Sequence, residues 1–189
     1  ELNIINNLGA VAQISVSLNK TKEVLHHGKL ATFFIGNMDK SKDNKKLILF
    51  SKDCQSVGLD VRYTRKINEK LWEKFIFLSA YSGMTTLTEL TIGQIFNNPK
   101  YKEMFVDAME ETYELSKYFH IEFDRNPVTV WSEKIKKMPH GITSSMYIDF
   151  KNKKKLELNW LSGFVVKSSK EFGIHSKTHD FILEGIKSK

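Results

Sequence analysis

The stretch Ile67–Leu78 (INEKLWEKFIFL) carries apolar side chains almost all the way round a helix. Ile67, Leu71, Phe75 and Leu78 make one stripe at helical spacing, and Trp72, Ile76 and Phe77 cover much of the opposite side. Such a helix has no face to give to water, so the fold has to surround it with other elements. Lys74 lies three residues after Leu71 and four before Leu78, on the same stripe. An ammonium on an apolar stripe is costly unless it has a partner or a task. Two readings stand side by side: the stem snorkels to the surface, or the charge serves chemistry.

The surroundings of that helix are legible in outline. The 189 residues suffice for one full domain and part of another, and a hydrophobic content of 41% supports a core. No run approaches the roughly 20 apolar residues of a membrane span, which excludes a membrane-embedded reading of these residues. The start, Glu1–Leu2–Asn3, has neither the basic region nor the cleavage site of a signal peptide. It also lacks an initiator Met, so the chain reads as a fragment or a processed product. The single Cys54 rules out an internal disulfide and fits a reducing cytoplasm. It reads as a small core residue on a helix with Leu47, Phe50 and Val57.

A net charge of +7 raises the question of nucleic acid. The charge is nearly all lysine, with Arg62, Arg65 and Arg125 the only arginines. Base-edge and bidentate phosphate recognition lean on arginine. The patches at Lys134, Lys136, Lys137 and at Lys151, Lys153–Lys155 do not interleave with aromatics as a single-strand platform would. They read as solvated faces, and no nucleic-acid partner is expected.

Strand signals fill residues 9–36. Ile14, Val16 and Leu18 alternate with serines, the period of a half-buried strand, and Leu30–Ile35 follows Gly28. A helix bearing Leu47, Phe50, Cys54 and Val57 stops at Gly58, and Leu59–Tyr63 returns as a strand. From about Lys66 onward the pattern is helical. The buried helix is expected to end near Ser82, before Gly83 and a threonine-rich turn. Further helices are expected over 100–119, from Pro127 to before Pro139, over Leu156–Phe172 and over Thr178–Ile186. The fold class is α+β, with a domain tail over 1–64 and a mainly helical domain over 65–189.

In the expected 156–172 helix, Glu157 precedes Leu161, Phe164 and Val165 by four, seven and eight residues, on the apolar face. Two opposite charges on two core-facing stripes suggest a pair meeting in one cleft, although a first-turn glutamate also suits the helix dipole. Ser145 reads as an N-cap or as a hydroxyl aimed into that cleft. His175 and His179, four apart, have a metal-compatible spacing with no third ligand nearby in sequence. His26–His27 reads as structural.

At these residues the chain resembles the ketopantoate reductases (2-dehydropantoate 2-reductases). Trp72–Glu73–Lys74 matches that family's W-x-K, and Ser144–Ser145–Met146 with Asp149 matches its S-S-M-x-x-D. Glu157 follows Met146 by eleven residues and Gly163 follows Glu157 by six, as in the family pattern. Residues 9–36, with His26–His27–Gly28, resemble the last strands of its nucleotide-binding domain. The resemblance implies a helical domain like the C-terminal domain of 6-phosphogluconate dehydrogenase, after the end of a Rossmann-type domain. It also implies NADPH-dependent reduction of a 2-oxo acid to a 2-hydroxy acid in pantothenate biosynthesis, in a cytoplasmic homodimer. Carried over residue by residue, Lys74 is the general acid, Glu157 binds the substrate hydroxyl and helps to hold the lysine, and Ser145 contacts the substrate carboxylate. The chain departs where the family carries asparagines four and eight residues after the lysine: it has Leu78 and Ser82. That leaves open a different 2-oxo acid substrate, or a helical dimerisation module without catalysis. Lys177 stands where the family tends to have proline. No G-x-G-x-x-G occurs in the sequence, so these residues alone are not expected to bind NADPH in the usual way or to turn over.

Overall fold

The computed structural model describes residues 7–19, 21–39 and 43–189. By internal contacts the chain divides into two compact units, Glu1–Leu71 and Trp72–Lys189.

The first unit is a three-stranded sheet and a helix. Strands β1 (Leu8–Leu18) and β2 (Val24–Asn37) form an antiparallel hairpin, and β3 (Asp60–Tyr63) joins β2 in parallel after helix α1 (Lys45–Ser56). A parallel neighbour needs such a crossover, so β2–α1–β3 is one βαβ step. The expected strand forms, but Ile14 and Val16, read as its buried face, are both exposed, with a register shift between them. The expected inner face of α1 is also corrected, since Phe50 and Val57 are exposed. The buried residue of α1 is Ser51, whose hydroxyl donates to Val61 O at 2.7 Å while Gln55 Nε2 donates to the same oxygen at 2.6 Å. Polar clamps to β3, not apolar spacing, orient this helix. Helix α1 does stop before Gly58, as the sequence suggests.

The second unit is helical. Helix α2 (Ile67–Thr88) begins in the first unit and continues through the second. From Ile76 to Thr86 every residue except Leu78 is buried, so the reading of a surrounded helix holds. It does not end at Ser82. Thr85 and Thr88 donate their hydroxyls to Tyr81 O and Met84 O, at 2.7 and 2.6 Å, which satisfies them inside the helix. Gly83 supplies a close approach: a Cβ there would stand 2.8 Å from Ile182 Cγ2. Around α2 lie α3 (Ile92–Asn97), α4 (Pro99–Tyr118), α5 (Pro127–Ile135), α6 (Ser145–Lys151), α7 (Ser162–Glu171) and α8 (Lys177–Lys187). The cap residues are the expected kind: Asn98, Asn126 and Ser144 each accept from backbone N–H groups one turn on. The core of this unit is built from Ile76, Met84, Phe105, Met109, Val166 and Ile182 with their neighbours.

Gly36 is the tightest of the described glycines of the sheet unit, because a Cβ built there would lie 2.1 Å from Thr64 O. A backbone oxygen cannot rotate away. Gly36→Ala is therefore predicted to destabilise the protein by about 2–4 kcal/mol. Gly141→Ala, with nothing within 4 Å, should be neutral. Urea unfolding midpoints for the two variants and the wild type check this.

Candidate active site

Lys74, Leu78 and Ser82 follow one another at four-residue intervals on α2, and Thr85 continues the same line. Lys74 and Leu78 are half-buried, whereas Ser82 is buried. The helical turn that carries Lys74 is held on two sides. From α5, Trp131 Nε1–H donates to Glu73 O at 2.7 Å, and Lys134 reaches the Glu73 carboxylate at 2.8 Å while lying 4.4 Å over the Trp131 ring. Phe77 stacks on Trp131 at 4.1 Å. From α7, Phe164 meets Phe75 edge to face at 5.6 Å. Trp131 was not singled out by the sequence reading; its signal is an aromatic within α5, four residues after the Pro127 start.

The serine pair divides its roles in a way that corrects one reading. The N-cap of α6 is Ser144, not Ser145: the buried Ser144 Oγ accepts from Tyr147 N at 3.1 Å. It also lies 2.7 Å from Thr85 Oγ1. With Thr85 donating to Tyr81 O, Ser144 donates to Thr85, so the proton direction along the chain is fixed. This relay docks the start of α6 on α2 at the far end of the Lys74–Leu78–Ser82 line. Ser145, the next residue, is exposed at the first helical position.

Glu157 is not on a helix. Helix α7 starts at Ser162, and residues 157–161 form a turn in which Trp160 N and Leu161 N both bond Glu157 O. Leu158 is buried and anchors that turn, whereas Glu157 itself is exposed. The Phe75–Phe164 contact brings the start of α7 to the residue beside Lys74. Glu157 therefore sits on an exposed turn ahead of α7, not on a helical stripe.

His179 is a core residue. It is fully buried on α8, with Nε2 at 2.9 Å from both Ala108 O and Thr112 Oγ1 and Nδ1 at 3.1 Å from Ser162 Oγ. A carbonyl can only accept, so Nε2 carries the proton and Ser162 donates to Nδ1. Thr112 Oγ1 also meets Ser79 Oγ at 3.0 Å. One polar chain thus joins α2, α4, α8 and α7. The carboxylate of Glu111 accepts from Thr178 N and His179 N, capping α8 from α4, and burial raises its pKa. Both ring nitrogens of His179 are occupied, which removes the metal reading of the His175–His179 pair.

Residues 66–189 match the family model for the ketopantoate reductase PanE/ApbA C terminal, and the chain belongs to that family. A 2-dehydropantoate 2-reductase of Aquifex aeolicus is 27% identical over 164 residues, covering 82% of this chain and 51% of that protein. The chain spans about half the length of the curated relatives it matches. Among solved structures, D-mandelate dehydrogenase with NADH and anilino(oxo)acetate superposes with a TM-score of 0.84 at 17% identity. That match covers 98% of this chain and 60% of the other. A dimeric ketopantoate reductase from Staphylococcus aureus gives a TM-score of 0.78 at 19% identity, covering 96% of this chain and 61% of that one. At these identities the structures establish the fold, which is the α+β architecture read from the sequence, with its helical C-terminal domain. Among the described residues no helix is long and apolar enough to cross a membrane.

Burial lowers the His179 pKa from 6.5 to about 4. Between those values the unfolded chain binds a proton that the folded one refuses, so stability is complete above pH 6.5 and falls toward pH 4. The predicted loss is about 3 kcal/mol from this residue. Glu111, raised in its pKa, acts in the opposite sense below its own titration. Urea midpoints at pH 7.5 and pH 5 for wild type and His179→Gln isolate the histidine: the variant should be weaker at pH 7.5 and less sensitive to acid.

Proposed function

We propose that this chain is part of an NADPH-dependent oxidoreductase that reduces a 2-oxo acid to a 2-hydroxy acid, in the manner of 2-dehydropantoate 2-reductase. The observation that carries the reading is Lys74 on a half-buried turn of α2, in line with Leu78 and Ser82 and clamped from α5 and α7. Residues 1–64 are the end of a Rossmann-type nucleotide-binding domain, and 65–189 the domain for substrate binding and dimerisation. A reducing cytoplasm suits the single cysteine.

The nucleotide does not find its usual cradle in these residues. No strand here runs into a helix through G-x-G-x-x-G, and the parallel step β2–α1–β3 enters α1 at Asn44, with Lys45 and Lys46 and no glycine in the first turn. What this chain supplies is the proton and the grip on the substrate. Lys74 gives its proton to the carbonyl oxygen as that oxygen gains charge, and its own positive charge stabilises the oxyanion before transfer. Ser145, exposed beside the fixed cap Ser144, donates to the substrate carboxylate. Glu157, presented by its turn, accepts from the substrate hydroxyl and holds the ammonium of Lys74 in place.

Leu78 and Ser82 line the same side of α2 as Lys74, and the proposal makes them specificity positions. An apolar Leu78 offers contact where an asparagine would offer two donors and an acceptor. A site that lacks polar partners discriminates differently among substrates. A second reading is accordingly a related 2-oxo acid other than ketopantoate, with an apolar group toward Leu78.

Two outcomes are expected of the full-length protein. Lys74→Ala should lose 10²–10⁴-fold in kcat for the best 2-oxo acid, with an unchanged unfolding midpoint; near-normal kcat refutes the assignment. Leu78→Asn with Ser82→Asn should raise kcat/KM for ketopantoate relative to smaller or more apolar 2-oxo acids by on the order of tenfold. Nucleotide oxidation across a panel of 2-oxo acids, followed in wild type and both variants, measures each.

A further inference from the structure

A cavity of about 470 Å³ opens between α3, α4, α5 and the segment at His140, and none of Lys74, Leu78, Ser82, Ser145 or Glu157 lines it. Its size is that of a small-molecule site. The floor is apolar. Ile92 and Ile135 are almost fully buried, at 1% and 4% exposure, and Phe96 and Val106 are half-buried walls.

The rim is of one sign. Lys102 arrives from the first turn of α4 and Lys136 from the end of α5, so two different elements deliver ammonium groups to one opening. No acidic side chain lines the cavity. Several other lysines are paired, as in Lys134–Glu73, Lys117–Glu114 and Lys189–Glu89. Lys102 and Lys136 form no ion pair among the described residues. His140 stands at the same rim, its backbone pinned by Gly93 N donating to His140 O at 3.0 Å. Ser132 and Asn97 add neutral hydrogen-bonding groups.

We propose that this cavity binds a small amphipathic anion, a carboxylate carried on an apolar chain or ring. The two halves of the lining select the two halves of the ligand. A bare inorganic anion would gain the lysines but would face Ile92 and Ile135 without hydrogen bonds, which disfavours burial. A neutral apolar molecule would fill the floor and leave the cationic rim uncompensated. A carboxylate head between Lys102 and Lys136 with its tail over Ile92, Phe96 and Ile135 satisfies both. Because the head sits at an exposed rim, its attraction is screened by salt.

The test uses the full-length protein with methyl-labelled isoleucine and valine, titrated with octanoate, octan-1-ol and inorganic phosphate and followed by methyl NMR. Octanoate should shift the Ile92, Val106 and Ile135 methyls saturably, octanol should bind at least tenfold more weakly, and phosphate should leave these methyls unmoved. Lys102→Gln with Lys136→Gln, both exposed positions, should raise the octanoate Kd at least tenfold, and raised salt should weaken wild-type binding. Ser132→Trp, which narrows the cavity without touching the charges, should abolish the shifts. Octanol binding as tightly as octanoate overturns the proposal. So does a double variant with the wild-type Kd, or shifts confined to methyls elsewhere.

Discussion

The buried chain of hydroxyls and imidazole from Ser79 through Thr112 and His179 to Ser162 is the constraint on which the helical unit depends. Each member is almost wholly shielded from water, so each needs its partner in place. Apolar contacts alone would allow α2, α4, α7 and α8 to slide past one another by a turn. A histidine with two directional nitrogens, one on a carbonyl of α4 and one on a serine of α7, permits one register only. Glu111 reinforces that register by capping α8 from α4.

Everything proposed for the site inherits this register. Helix α2 is fixed at its far end by the Thr85–Ser144 relay and near Lys74 by Trp131 and Phe164. The lysine therefore projects from a helix held at both of these points. Residues 71–75 of α2 are all half-buried, whereas the run from Ser79 to Thr86 is buried.

The sequence made some of this legible and concealed the rest for physical reasons. The enclosed helix around Lys74, the Pro99 and Pro127 helix starts and the amphipathic α4 were readable, because local periodicity and capping chemistry decide them. The extension of α2 through Gly83 and the threonines was not. Gly and Thr look like a turn in isolation, and it is Ile182 against Gly83 and the back-bonded hydroxyls that keep the helix going. Glu157 misled in the same way: its spacing to Leu161, Phe164 and Val165 is helical, yet the turn anchored by Leu158 intervenes. The exposure of Phe50 and Val57 was hidden too, since polar clamps to β3, not hydrophobic spacing, orient α1. Ser144 rather than Ser145 as the cap turned on one residue, a difference that helix-end signals seldom resolve.

The central claim is that Lys74, Ser145 and Glu157 converge on one bound 2-oxo acid. A crystal structure of the full-length protein with oxidised nicotinamide nucleotide and a 2-oxo acid tests it most directly. The account predicts the Lys74 Nζ within hydrogen-bond reach of the ligand's ketone oxygen, at about 2.6–3.2 Å, with the Ser145 hydroxyl on its carboxylate and the Glu157 carboxylate facing Lys74. A ligand seated away from Lys74, or a Glu157 side chain turned to bulk solvent in that complex, would contradict it.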